Sequence, residues 1–423
     1  MRAWQSEDWW SVWLGFAILG LATVGVIPSV PKVSPWVVEP QRAWAGQGLS
    51  LALLAVGLIA LTALTVRATG KPVKRYAGGA FTVFVLATLA QAIGAQQTLR
   101  EYGLGYALWA LALGLLIANT MGTPPWLRAG ARSELFIKVG LVLLGAELLV
   151  SRIIELGGPG LMVAYLVTPV IIVIMWLFGT RVLRMRSKAL TIIIACATSV
   201  CGVSAAVAVA AAVRAKKEEL TLGVGLTMIF TVAMMVGMPA LCGALGLSPW
   251  VAGAWIGGTV DSTGAVVAAG AMLGDDAEQV AAIVKMIQNT MIGGIAFVIA
   301  VYWVTRVEGA RGGKPSVRML WDRFPKFVLG FLLASLVASF FLLPVTGPEE
   351  TAAITKVTKG IRGWLFAMAF VSIGLESNFR RLTTHLRGGK PIVLYAVGQT
   401  VNIVLTLLVA WIAFGGVLFQ LPA

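Results

Sequence analysis

A chain of 423 residues in which 58% are hydrophobic and only 12% are charged lies far below the roughly 25% charged content of soluble domains, which excludes a water-soluble globule. The formal net charge of +15 would suit a nucleic-acid binder only if Lys and Arg shared a solvated face. Here they stand in short connections between apolar runs, so no nucleic-acid partner is expected and the charge reports topology.

From the N-terminus, MRAWQSEDWWSVW has too few positive charges and no small-residue cleavage site before an apolar run at 11–27. It reads as a retained first span, with Trp4, Trp9, Trp10 and Trp13 at headgroup level. Apolar stretches near the length of about 20 residues that a helix needs to cross a bilayer then recur at 47–66, 77–95, 103–119, 135–150, 160–179, 189–213, 220–245, 250–273, 279–304, 326–343, 361–376 and 391–419. The expected fold is all-α and polytopic, with about thirteen transmembrane helices. Cys196, Cys201 and Cys242 lie inside these runs and fit neither C-x-x-C nor a zinc spacing, so no disulfide, metal or cofactor is expected.

Basic connections are held on the cytoplasmic side. One alternate set carries Arg67 to Arg75, Arg128 to Lys138, Arg181 to Lys188, Arg306 to Lys326 and Arg380 to Lys390; the other carries Lys32, Arg42, Arg100, Arg152, Arg214, Lys216, Lys217, Lys356, Lys359 and Arg362. The first set holds roughly twice the Lys and Arg of the second, which places the N-terminus inside and the C-terminus outside.

An internal repeat is suggested by residues 138–165 and 366–398. Each runs apolar residues, a Gly-x-Glu ending at Glu147 or Glu376, a basic connection, Gly-Gly and a new span with Tyr165 or Tyr395. The spans are the fifth and twelfth, so they cross in opposite senses, as an inverted-topology repeat requires. Chance recurrence of Gly and Leu in oily sequence is the plainer alternative.

Polar islands interrupt the apolar runs. An exposed carboxylate at mid-bilayer costs at least about 2.5 to 3.5 kcal/mol, so such groups face the protein interior. Asp261, with Gly257, Gly258 and Gly264 around it and Thr259, Ser262 and Thr263 able to satisfy freed backbone groups, predicts an interrupted helix with a half-helix N-terminus near Ser262. Tight helix packing explains the small residues there but not the aspartate. Cys201, Gly202 and Ser204 form a second such island, which small-residue packing explains nearly as well. Lys285, Gln288 and Asn289 are spaced i, i+3, i+4 and share a helix face, either lining a cavity or with Lys285 snorkelling to the surface. Glu147 and Glu376 are further candidates for substrate or ion binding; they fall near opposite membrane surfaces, where interfacial hydration is the ordinary alternative. Gln399 and Asn402 read as a pair between helices, and His385 as a loop histidine.

At SVCGVSAAVA (199–208), GGTVDSTGAVVAAG (257–270), DDAEQVAAIVKM (275–286) and Ile373 to Leu375, the chain resembles the bacterial YeiH-type membrane proteins, a family named for sulfate export. The resemblance covers about 103–419. It implies a family core of about ten spans in 103–423, with 1–102 as an extension of about three. Where that family reads Thr-Val-His-Glu this chain has Thr259, Val260, Asp261 and Ser262; Lys-x-x-Arg becomes Lys285 and Gln288; and the arginine of Gly-x-Arg is replaced by Glu147. Two anion-pairing arginines implied by the resemblance are thus absent. A dianion would rely on Lys285 and helix dipoles, opposed by Asp261 unless that group is protonated or cation-bound.

An enzyme is not expected. No span holds a histidine for a serine protease, Asp261 is the only aspartate within a span where an aspartyl protease needs two, and H-E-x-x-H is absent. The expected function is a secondary transporter exporting a small anion of the sulfate, sulfite or organosulfonate class, with proton or sodium coupling at Asp261; a cation/proton antiporter or a channel is the alternative. A homodimer is compatible with either.

Overall fold

The computed structural model describes residues 6–101, 104–308, 321, 324–378 and 389–419. In chain order the principal helices are α1 (Glu7–Thr23), α2 (Gly48–Ala68), α3 (Val73–Gly94), α4 (Tyr106–Thr120), α5 (Ser133–Glu147), α6 (Val150–Leu177), α7 (Lys188–Ser199), α8 (Gly202–Ala212), α9 (Lys217–Ala244), α10 (Pro249–Thr259), α11 (Thr263–Ala271), α12 (Asp275–Tyr302), α13 (Lys326–Val337), α14 (Leu343–Glu376) and α15 (Gly389–Phe414). Among the described residues there is no β-strand, and seven helical stretches are long and apolar enough to cross a membrane. Each expected apolar run is built on helix, the runs 189–213 and 250–273 as two helices apiece, and the expected all-α polytopic architecture is the one observed.

Two compact units form. The first comprises 1–153 and 326–378, the second 154–325 and 379–423. The expected extension, 1–102, therefore packs in one unit with α4, α5, α13 and α14. In this first unit α14 is the central element, lying against α3, α4 and α5. Its contact with α4 is backbone to backbone: a Cβ on Gly114 would stand 2.3 Å from Val371 O, and one on Gly374 2.5 Å from Leu111 O. Small residues allow this approach, which supplies dispersion where lipid gives helices no hydrophobic drive. The long α14 turns at Gly347, whose φ of 80° is left-handed and suits a residue without Cβ.

The two segments expected to repeat end alike. α5 stops at Glu147 and α14 at Glu376. The backbone freed beyond each is satisfied by another helix: Leu148 O accepts from Ser335 Oγ and Val150 N donates to Ser339 Oγ at 2.9 Å, while Ser377 O accepts from Asn119 Nδ2 at 3.0 Å.

In the second unit two runs expected as spans are interrupted, as the glycine-rich islands suggested, but the interruption also reverses the chain. α7 starts beside the first turn of α9, where Ser187 Oγ donates to Glu219 Oε1, and α8 ends at Ala212, next to that same turn. Between them, position 202 lies against Thr227, deeper along α9. The second pair behaves likewise along α12. Gly253 lies on Ala277 and Gly257 on Ala281, whereas on the return Thr263 meets Asn289 and Gly270 meets Glu278. Both pairs are re-entrant helical hairpins. Their bases lie at opposite ends of α9, which at 28 residues is about 42 Å long.

Each hairpin is started by local chemistry. Ser187 caps α7 by accepting from Leu190 N at 3.0 Å, and Ser248 precedes Pro249 at the first position of α10, both strong N-terminal signals. Asp275, Asp276 and Glu278 occupy the first turn of α12, where negative charge complements the helix dipole.

The close approach of α4 and α14 has a direct test. Gly374→Leu is expected to lose at least about 2 kcal/mol of stability by overpacking, measured as a lower Tm of the purified protein. Gly57→Leu, at a position with nothing within 4 Å, should leave Tm unchanged; equal Tm values for both would refute the contact.

Candidate functional site

The last carbonyls of a helix have no partner within it, and hydrocarbon offers no water to replace one. At the tip of the first hairpin, Thr198 and Ser199 turn their hydroxyls back to Ile194 O (2.9 Å) and Ala195 O (2.6 Å). The chain then leaves the helix, with Val200 at φ −125°, ψ −78° and Cys201 extended. Two exposed-end carbonyls are met by α12: Gln288 Nε2 donates to Ser199 O at 2.8 Å and Lys285 Nζ to Val200 O at 2.8 Å. Lys285 also donates to Gln288 Oε1, so the i, i+3 spacing on α12 builds one cap.

The second tip, Val260 to Ser262, is held in the same way from α15. Gln399 Nε2 donates to Thr259 O at 3.1 Å and Asn402 Nδ2 to the same oxygen at 3.4 Å. Tyr395 donates its hydroxyl to Asp261 Oδ2 and stacks on Phe230 with ring centroids 4.4 Å apart. From α12, Asn289 Nδ2 donates to Thr263 Oγ1 at 3.0 Å. The tips meet: Gly202 N donates to Asp261 O at 2.6 Å, and Cys201 Sγ lies 3.8 Å from Thr263 Oγ1. Each chain break thus satisfies part of the other.

Two half-helices, α8 and α11, begin at this meeting point, and neither Cys201 nor Ser262 caps its helix with its side chain. Helix N-termini carry a partial positive charge and N–H groups suited to an anion. With Lys285 they give the junction positive character; Asp261 and the C-terminal ends of α7 and α10 supply the negative. Asp261, Lys285, Gln288 and Asn289 are each only 1% exposed. Among the described residues, Thr259 Oγ1, Asp261 Oδ1, Asn289 Oδ1 and Gln399 Oε1 are buried without a hydrogen-bond partner.

Of the residues expected to form a site, Thr259, Asp261, Thr263, Cys201, Gly202, Lys285, Gln288 and Asn289 are brought together. Ser262 is half-buried at the tip and Gly264 is buried one residue into α11. Ser204 is exposed on α8. Lys285 is buried and caps a carbonyl, so its expected alternative, snorkelling to the surface, does not occur. Glu147 and Glu376 make their contacts in the first unit. Glu147 holds Arg362 in a bidentate pair, Nε to Oε1 at 2.8 Å and Nη2 to Oε2 at 2.9 Å, and Glu376 accepts from Ser133 Oγ at 2.7 Å. The 379–388 connection with His385 lies outside the described residues. Sequence reasoning missed Tyr395 as a site residue and took Gln399 and Asn402 for an isolated pair. Tyr395, Gln399, Asn402 and Thr406 recur at helical spacing, and that polar stripe on an apolar helix was the available signal.

Comparison with known proteins places these residues in a family. The family described as Conserved hypothetical protein 698 matches residues 79–395. The chain belongs to this family. The resemblance to the YeiH-type proteins is thereby borne out, and the matched region holds both hairpins, α12 and Tyr395. A UPF0324 membrane protein of Rhodopirellula baltica is 50% identical over 396 residues, covering 92% of this chain and 72% of its own. One of Nitratidesulfovibrio vulgaris is 47% identical over 370 residues, 86% of this chain and 64% of its own; the chain thus spans less than two thirds of that relative. One of Nitrosomonas europaea is 29% identical over 93% of this chain and 92% of its own. No solved structure matches.

The capping role of Gln288 is testable by stability. Gln288→Leu strips from Ser199 O its 2.8 Å donor and leaves only the longer 3.3 Å bond from Thr168 Oγ1, and under-satisfying a buried carbonyl costs on the order of 1 kcal/mol or more. The expected outcome is a clear fall in Tm, with a smaller one for Thr168→Val, which removes a hydroxyl that accepts from Gln288 Nε2 at 3.0 Å and donates to Ser199 O at 3.3 Å but leaves the shorter Gln288 bond to that carbonyl in place. A Gln288→Leu protein as stable as the parent would contradict the assignment.

Proposed function

We propose that this protein is a secondary active transporter that exports a small anion of the sulfate, sulfite or organosulfonate class across the bacterial inner membrane, and that it is not an enzyme. The observation that carries this reading is the meeting of two re-entrant hairpins, entering from opposite ends of one unit, at a buried junction with Lys285 and the N-termini of α8 and α11. In transporters, discontinuous helices direct half-helix N-termini at anionic groups, while unwound carbonyls and half-helix C-termini serve coupling cations. Alternating access would open this junction first to one side and then to the other.

The hairpins also bear on orientation. Because α7 and α8 return to the side they left, Arg214, Lys216 and Lys217 join Arg181, Arg184, Arg186 and Lys188 on one side. This strengthens the excess of basic residues on the side assigned to the cytoplasm and supports an N-terminus inside and a C-terminus outside. A phosphatase reporter fused at Thr384 should be inactive and a cytoplasmic reporter active; the opposite result would reverse the topology.

The transport reading is tested by counterflow in proteoliposomes. Unlabelled sulfate, sulfite or a small sulfonate inside should drive saturable uptake of the labelled anion, and Lys285→Met should reduce it by roughly tenfold or more, about 1.4 kcal/mol of lost stabilisation. Conductance without exchange would indicate a channel, and no anion effect in any of the three would end the anion reading.

A further inference from the structure

The mechanism proposed above uses Lys285 and the half-helix N-termini but leaves four buried oxygens unused. Asp261 Oδ1, Thr259 Oγ1, Asn289 Oδ1 and Gln399 Oε1 have no hydrogen-bond partner among the described residues. All four belong to the second hairpin's tip or to side chains bonded to it. Thr259 and Asp261 are two residues apart; Gln399 is tied to Thr259 O and Asn289 to Thr263 Oγ1.

These oxygens are not ordinary leftovers. A carboxylate or amide oxygen can only accept, so three of the four need a donor or a cation, and one water has only two hydrogens to give. The orientation of Gln399 is fixed by chemistry: Thr259 O is a carbonyl and must face the amide nitrogen, which leaves Oε1 as the free end. Thr259 also departs from its neighbours. Thr198 and Ser199 spend their hydroxyls on carbonyls four residues back, and Thr259 does not.

We infer that Asp261 Oδ1, Thr259 Oγ1, Asn289 Oδ1 and Gln399 Oε1 form a binding site for a single sodium ion at the tip of the second hairpin. The donor set is all oxygen, as a hard cation requires. It contains one carboxylate, and no group of three or more His, Cys, Asp or Glu exists among the described residues to hold a metal of higher charge. One negative ligand matches one positive charge.

The site has a consequence for the anion, and this step rests on the transporter reading. With Asp261 ionised and Lys285 protonated, the two charges cancel across the junction and an anion gains little. Sodium on Asp261 neutralises the carboxylate and leaves Lys285 and the N-termini of α8 and α11 as an uncompensated positive field. Sodium then raises anion affinity, and by linkage the anion raises sodium affinity by the same factor.

The test is sodium binding by the purified full-length protein, independent of transport. Thermal unfolding is followed in detergent at constant ionic strength with NaCl, KCl or choline chloride. The expected result is a rise in Tm of roughly 2 °C at ten times the sodium Kd, absent with choline and weak with K+. Asp261→Asn should abolish the response, and Thr259→Val, which removes one neutral ligand and little volume, should weaken sodium affinity roughly tenfold. Equal Tm values in all three salts, an equal response to K+, or an unchanged response in both variants would overturn the site. Sulfate counterflow in sodium and in choline media separates this proposal from the one it rests on. Undiminished counterflow in choline without a sodium response removes the cation site and leaves the carrier, whereas a sodium response without anion counterflow upholds the site and removes the anion.

Discussion

A backbone polar group that faces hydrocarbon with no partner costs several kcal/mol, and the second unit is arranged around that constraint. Breaking two helices in its interior frees carbonyls and amides at both tips. α12 and α15 answer the carbonyls with one ammonium group and three amide side chains, those of Lys285, Gln288, Gln399 and Asn402, and the tips answer each other through Gly202 N and Asp261 O. The hairpins, the polar faces of the two supporting helices and the buried aspartate are consequences of one decision to unwind the chain where water is absent.

The charged groups follow the same logic. Lys285 is 1% exposed yet is tied to two oxygens, Val200 O and Gln288 Oε1, so its charge is held by directed hydrogen bonds. The Asp261 carboxylate receives one among the described residues, from Tyr395. In the first unit Glu147 and Arg362 form a bidentate pair, 11% and 6% exposed in their side chains, which has the geometry that makes burial of two charges tolerable. Glutamate at 147, where the resemblance implied an arginine, is therefore matched by an arginine from α14 rather than left to oppose an anion.

Much of the site was legible because mid-membrane polarity is costly enough to be informative. Asp261 among glycines predicted a break, and the break is there; Lys285, Gln288 and Asn289 at i, i+3, i+4 predicted one inward face, and they share it. Glu147 and Glu376 look like ligands in a linear reading, and each instead finds a partner within the first unit. Tyr395 and Gln399 were overlooked because a tyrosine or an amide in a span is common, and only its neighbours distinguish a carboxylate partner from a packing residue.

Composition and periodicity alone determined that this chain is helical and membrane-spanning, where its helices begin and fail, and which residues are too polar to face lipid, because the cost of dehydrating charge and backbone is local and can be read residue by residue. Direction was another matter. Whether the chain continues or turns back at Val200 and Val260 depends on which helix lies alongside to accept each half, and apolar runs of 9 to 12 residues carry no mark of that. Packing against α9 and α12 decided it, and with it the meeting of two chain breaks that lie about sixty residues apart in sequence, a separation at which no local rule applies.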